Sequence, residues 1–316
     1  MDIGIIFGQM LVLLAMMLLG AFVYKKNWIG KEGEGNISKL VVNVLNPFLV
    51  VSGVLGDTDA ISQDKILGNL QLVVLYYVIA IVFGVLLAWA LHPPKNLKSI
   101  YTLMATFSNL GFMGIPVARS LYGSEGVVYV SFYILIYNVI VYTYGMSLAR
   151  RAAREKNGAD SAQKADIATS LKRIINPGVV AALLALVIFA AGIKIPDPAV
   201  SLCNYMGDAT IPLSMLMIGV SIAKADLLSY LKDVRMYVFI LLRMVALPII
   251  IAVAMRGMGF DSVVFGVFII ELAMPIGSII GLFAKECGAD DAYCMKGTVL
   301  STLASIFTIP IVGLFL

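Results

Sequence analysis

The chain has 316 residues, 60% of them hydrophobic and 13% charged, with a net charge of +4 and a mean hydropathy of +0.96. Soluble domains carry about 45–50% apolar and about 25% charged residues, so this composition excludes a soluble fold and reads as a membrane protein in contact with lipid. The net positive charge does not indicate nucleic acid, because the basic residues gather at the ends of apolar runs. Cys203, Cys287 and Cys294 are too few and too scattered for a disulfide framework or a zinc site.

Apolar runs bounded by charge, proline and glycine predict ten helices, at 3–24, 37–56, 68–91, 98–122, 126–150, 175–193, 199–222, 233–256, 261–286 and 293–315. A run of about 20 residues spans about 30 Å of hydrocarbon. The first run has no basic stretch before it and ends at Tyr24-Lys25-Lys26 without a small-residue cleavage site, so it reads as a span and not as a signal peptide. With the N-terminus outside, 18 of the 23 Lys and Arg fall on inside loops, while Asp57, Asp59, Asp64 and Glu125 gather outside. The positive-inside rule then puts both termini outside.

The one long polar stretch, 151–173, leaves five predicted helices on either side. An odd number of spans per half makes the halves inverted: 1–150, then the cytoplasmic linker 151–173, then 174–316. Superposing them at a constant offset pairs Pro47 with Pro212, Ile115 with Ile280, Gly123 with Gly288 and Leu135 with Leu300. The expected fold is therefore an all-α membrane protein with a 5+5 inverted repeat, an organisation used by secondary transporters to alternate access.

Within the fourth predicted helix the run Ser108-Asn109-Leu110-Gly111-Phe112-Met113-Gly114-Ile115-Pro116 places two glycines and a proline at mid-span. The ninth carries Glu271-Leu272-Ala273-Met274-Pro275-Ile276-Gly277-Ser278 and then Gly281. Proline removes an amide donor and glycine frees the backbone, so both helices are expected to break, at Gly114/Pro116 and at Pro275/Gly281. Irregular backbone at that depth survives only inside protein or beside a wet cavity. The half-helix N-termini suit a carboxylate and the opposed C-terminal carbonyls suit a cation.

Asp208, Arg243 and Glu271 lie near span centres, where a charge needs a partner or a task. Arg243 has two readings, a salt bridge to Glu271 or Asp208, or direct contact with a substrate carboxylate. Glu271, one turn before Pro275, is a candidate for holding a cation or relaying a proton. Asp208 reads as a structural carboxylate or as the partner in depth of Asn43, Asn46 and Thr210. Tyr133, Tyr137 and Tyr142 read as packing; Asn138 on the same helix is kept as a pocket residue. His92, before Pro93-Pro94, reads as a solvated turn. With one histidine outside the spans and no paired acids, nothing supports an enzyme.

On Asn46-Pro47, Ser108-Asn109 through Pro116, and Ala273-Met274-Pro275 with Phe283-Ala284-Lys285-Glu286, the chain resembles a bacterial member of the auxin efflux carrier family over essentially its whole length. The resemblance implies the fold of the bile acid sodium symporters. In that fold helices 1, 2, 6 and 7 form a scaffold, the remainder form a transport domain, and the two broken helices cross. It further implies elevator-like movement, a homodimer, and residence in the bacterial inner membrane. The similar sodium symporters hold sodium with a Ser-Asn pair and a Glu three residues before a Met, matched here by Ser108, Asn109, Glu271 and Met274. No other cofactor is expected.

The resulting expectation is ion-coupled transport of a small organic carboxylate. Its binding residues would be Asn43, Asn46, Asn109, Gly111, Asn138, Arg243, Ile276, Gly277 and Ser278, with sodium or a proton at Ser108, Asn109, Glu271 and Met274. The alternative is an uncoupled facilitator for organic anions or auxin-like weak acids, in which Glu271 is structural.

Overall fold

A computed structural model describes residues 3–30, 33–55, 62–158, 175–225 and 232–316. Loop acids Asp57 and Asp59, and residues 159–173 of the predicted linker, lie outside this set. The described residues are helical almost throughout. In order they form α1 (Ile3–Lys25), α2 (Gly33–Leu40), α3 (Asn46–Leu55), α4 (Gln63–Ala90), α5 (Lys98–Thr106), α6 (Ile115–Ile140), α7 (Met146–Asn157) and α8 (Pro177–Ala191). Then come α9 (Asp197–Asp208), α10 (Thr210–Lys224), α11 (Val234–Leu241), α12 (Leu247–Ala254), α13 (Ser262–Ala273), α14 (Ile279–Cys287) and α15 (Asp291–Gly313). Among the described residues seven helical runs are long and apolar enough to cross a membrane, and the shorter apolar helices Pro177–Phe189 and Ser262–Ala273 accompany them.

Punctuation follows residue chemistry. The longest run, Leu110–Asn157, turns sharply at Gly123, whose φ of 63° is readily open only to glycine. Among the described residues four wide π-turns interrupt helices, at Val41–Leu45, Leu110–Gly114, Val141–Gly145 and Leu242–Ala246. Three of them end just before Pro47, Pro116 and Pro248. A proline ring clashes with the carbonyl four residues back; at Asn43, Phe112 and Met244 that carbonyl lies in the widened turn, which gives it room.

Two tightly packed regions frame the centre. α1 crosses α10 with backbones in direct contact: a methyl group on Gly20 would collide with the Leu216 carbonyl, and one on Gly219 with that of Met17. α3 lies against α8 and α9, with Gly207 close to Leu49 and Ser52. Small residues at such crossings let membrane helices approach, where dispersion rather than the hydrophobic effect drives association. Elsewhere α4, α5, α6, α13, α14 and α15 pack around buried Tyr76, Tyr101, Phe107, Tyr129, Tyr133 and Phe268. Outward-facing Val74, Val78, Val82, Val85 and Trp89 on α4 leave an apolar face suited to lipid.

Candidate functional site

The fourth and ninth predicted helices each come apart in the middle. α5 ends at Thr106 and helical structure resumes at Leu110; α13 ends at Ala273 and α14 begins at Ile279. Met274, held extended before Pro275, has φ −60° and ψ 146°. The interruptions meet as a short antiparallel pair centred on Ser108 and Ile276. Asn109 N–H donates to Pro275 O at 2.8 Å and Gly277 N–H to Phe107 O at 2.9 Å, while Ile276 N–H donates to Ser301 Oγ at 3.0 Å. These bonds satisfy backbone that could find no water at this depth.

The positions of the breaks differ in part from those expected. Pro275 lies in an interruption, but Gly114 and Pro116 fall after the first one, in the π-turn and the first turn of α6, and Gly281 lies inside α14. The proline of the fourth helix is absorbed by the π-turn, so the chain opens upstream of it, at Phe107–Asn109.

Four helix ends converge here, and they are treated in two ways. The N-terminal ends face a cavity of about 180 Å³. Seven of the nine expected substrate residues line it: Asn43, Asn46, Asn109, Gly111, Asn138, Gly277 and Ser278. Ile276 and Arg243 do not. Asn176 was not expected; its Nδ2 donates to Asn138 Oδ1 at 2.6 Å, and its side chain caps α8 by accepting from Val179 N–H at 3.2 Å. Its sequence signal, Asn-Pro-Gly opening an apolar run, is that of any helix start. Tyr137 and Tyr142 also reach the cavity wall. Among the described residues that line it none is charged, and the remaining walls are apolar, with Val42, Val50, Leu110, Ile115, Ile134 and Ile279.

Asn109 Oδ1 caps the first N-terminal end, accepting from Phe112 N–H at 3.2 Å. At the second, Ser278 makes no side-chain cap. Asn46 is 9% exposed, its amide nitrogen near Gly111, and its Oδ1 has no hydrogen-bond partner. An unsatisfied buried acceptor costs about 1–3 kcal/mol, which a ligand carrying a hydrogen-bond donor would recover.

The C-terminal ends are closed by Arg243, carried inward on the Leu242–Ala246 π-turn and 2% exposed. Its Nε donates to Ala105 O at 3.0 Å, Nη1 to Met274 O at 2.6 Å and Nη2 to Ser108 Oγ at 2.8 Å. Tyr76 Oη donates to the same Ser108 Oγ at 2.7 Å. The salt bridge considered for Arg243 does not form: Asp208 instead pairs with Arg119 at 2.6 Å, and neither oxygen of Glu271 has a hydrogen-bond partner among the described residues. Glu271 is fully buried against Gly114, where a methyl group would lie 2.8 Å from Oε1 and closer still to Oε2.

These contacts allow a test of the sodium expectation. Sodium needs several unshared oxygens. Ser108 Oγ already accepts two hydrogen bonds, its full acceptor complement. Met274 O is held by the guanidinium and Asn109 Oδ1 caps a helix. Only the Glu271 carboxyl is unengaged, so the residues present do not fit the ion.

A family model described as membrane transport protein matches residues 5–312. The chain belongs to this family, that of the auxin efflux carriers. Two curated relatives align over almost the whole of both chains. An uncharacterised transporter of Methanothermobacter thermautotrophicus is 24% identical over 309 residues, 95% of each chain. The uncharacterised transporter YfdV of Escherichia coli K12 is 23% identical over 318 residues, 97% of this chain and 98% of its own. An uncharacterised transporter of Methanocaldococcus jannaschii is 25% identical over 67% of this chain and 68% of its own. The chain is thus a multi-pass membrane transport protein and not an enzyme.

Proposed function

We propose that the protein is a secondary transporter of small organic carboxylates, which bind in the cavity at the crossing of the two broken helices. The observation that carries this reading is the unequal treatment of the four helix ends. Each N-terminal end carries about half a positive charge, so the two facing the cavity offer about one charge, enough for one carboxylate. With no cationic side chain among the described residues of the wall, a second carboxylate would lack compensation, and the apolar remainder suits an uncharged body. Monocarboxylates with an apolar moiety are accordingly favoured over dicarboxylates.

Ten spans in two inverted halves remain the working architecture. Support comes from two side-chain knots at corresponding places. Near the starts of the third, fifth and ninth predicted helices, Lys65 meets Glu125 at 3.0 Å and Asp261 at 3.4 Å, with Tyr129 Oη donating to Glu125 at 2.8 Å. Near the starts of the eighth, tenth and fourth, Lys296 and Tyr293 donate to Asp233 at 2.7 and 2.9 Å, and Tyr293 meets Tyr101 at 2.6 Å. Exchange of the halves explains this pairing, with the charges reversed.

Each knot lies within the set of helices proposed to move, whereas the glycine-packed α1, α3, α8, α9 and α10 form the proposed scaffold. Arg119–Asp208 crosses between the two sets, and an elevator-like movement must break it. Cavity-lining Asn43, Tyr142 and Asn176 lie toward the predicted cytoplasmic side, which corresponds to an inward-facing state. A homodimer in the inner membrane with both termini outside completes the proposal.

Coupling is assigned to a proton on Glu271, the one unengaged ionisable group among the described residues at the crossing. A buried carboxylate without a counter-ion is costly, and a proton removes that cost without further ligands. The filled C-terminal side favours the second reading, a facilitator with no coupling ion. Uptake of labelled carboxylates into liposomes under an inward proton gradient, an inward sodium gradient or neither separates the two. Proton-stimulated uptake that loses its gradient dependence in Glu271→Gln supports coupling; uptake indifferent to both gradients establishes the facilitator.

A further inference from the structure

Where the crossing helices present carbonyls, an exchangeable cation is the ordinary solution, yet this chain has built a cation of its own into that position. We infer that Arg243 is the resident counter-charge of the crossing: its guanidinium permanently occupies the position of an exchangeable cation, and the transporter neither binds nor needs sodium.

Three observations converge. The fork reaches both half-helix C-termini, α5 through Ala105 O and α13 through Met274 O, and adds Ser108 Oγ between them. Each C-terminal end carries about half a negative charge, so two ends are balanced by one guanidinium. Finally, Arg243 has no acidic partner in the described structure, although Glu271, on the last turn of the same α13 whose end the guanidinium holds, is buried with both oxygens unsatisfied. An arginine placed for an ordinary ion pair would not leave that carboxyl alone. Arginine suits the task because its charge is permanent and its donors are planar and fixed.

The consequence concerns specificity for the driving ion. A sodium ion entering beside Arg243 would meet a like charge and oxygens already used, so selection against it is built into the position of one side chain. This inference shares the crossing with the proposed carboxylate site, but its test contains no substrate, so either can fail without the other.

Melting of the purified full-length protein in detergent is measured in sodium chloride and in choline chloride at equal ionic strength. A ligand bound only by the folded state at about 100 times its Kd raises the melting temperature by about 5 °C. The wild-type protein is expected to melt at the same temperature in both salts; a sodium-specific rise overturns the inference. Arg243→Met keeps length without charge and is expected to melt about 10 °C lower, while Arg243→Lys, which keeps the charge, recovers at least half of that loss. Lysine no better than methionine would show that shape, not charge, is what the position requires, and would equally overturn it.

Discussion

The two faces of the crossing use one physical resource in opposite ways. On the cavity face the positive helix ends, one capped only by the neutral Asn109 amide and the other uncapped, are bordered by five asparagines and, among the described residues, no charge. On the other the negative ends are bound by three hydrogen bonds from a buried arginine. Both faces arise from the same broken helices, so the difference lies in what neighbouring helices bring. α3, α6 and α8 contribute amides able to release a ligand; the π-turn before α12 contributes a fixed charge. A transporter needs this asymmetry, because a site satisfied on every side would have nothing left to offer its cargo.

Removing the fixed charge should break the comparison most severely. Arg243→Ala leaves two buried carbonyls without a side-chain donor and Ser108 Oγ with only the Tyr76 hydroxyl, a loss of about 3–5 kcal/mol at about 1–3 for each acceptor left unsatisfied, seen as aggregation or early melting in size-exclusion and thermal assays. Gly114→Ala comes next. Its methyl group collides with the Glu271 carboxyl, costing about 1–3 kcal/mol, and Glu271→Ala in the same chain should restore much of the melting temperature. On the cavity face, Asn46→Ala should leave melting within about 1 kcal/mol of wild type, since its Oδ1 has no partner to lose. Carboxylate uptake should fall about tenfold, as expected for the loss of one hydrogen bond donated by Asn46 Nδ2 to a charged ligand. Equal losses of stability at Asn46 and Arg243 would erase the distinction between the faces.

The smallest effect belongs to an ion pair of ordinary kind. Asp233, capping α11, is pushed up by burial, but hydrogen bonds from Lys296, Tyr293 and Met236 N–H outweigh this and hold its carboxyl below the usual range. A depressed folded-state value gives stability that is present above the unfolded value, near 3.9, and is lost as pH falls through the folded one. Asp233→Asn should therefore lower melting at neutral pH by an amount typical of a partly exposed pair, about 0.5–1 kcal/mol, and the difference from wild type should shrink below pH 4. Arg243 should show no such pH dependence, its partners being carbonyls and a hydroxyl.

Much of this could be read along the chain. Hydropathy with Pro and Gly punctuation located helix limits to within a few residues, and the paired breakers at Pro116 and Pro275 pointed to the crossing and so to Asn109, Gly277 and Ser278. What could not be read was anything depending on distant partners. Arg243 lies 138 residues from Ala105, and no pattern in either segment distinguishes a guanidinium on carbonyls from one on Glu271. Asn176 looked like a helix cap, which it is, and only packing makes it also a cavity wall. The first break was misplaced for a local reason: proline was read as the point of rupture, whereas a widened turn accommodates the Phe112 carbonyl and moves the opening to Phe107–Asn109.

Selection of one negative charge by positive helix ends that have no charged partner is tested most directly by offering proteoliposomes a labelled apolar monocarboxylate against excess unlabelled monocarboxylate, its neutral amide, or a dicarboxylate of similar size. Strong competition by the monocarboxylate, little by the dicarboxylate and none by the amide is expected. Equal competition by the amide would mean that the cavity does not read charge, and would contradict that selection.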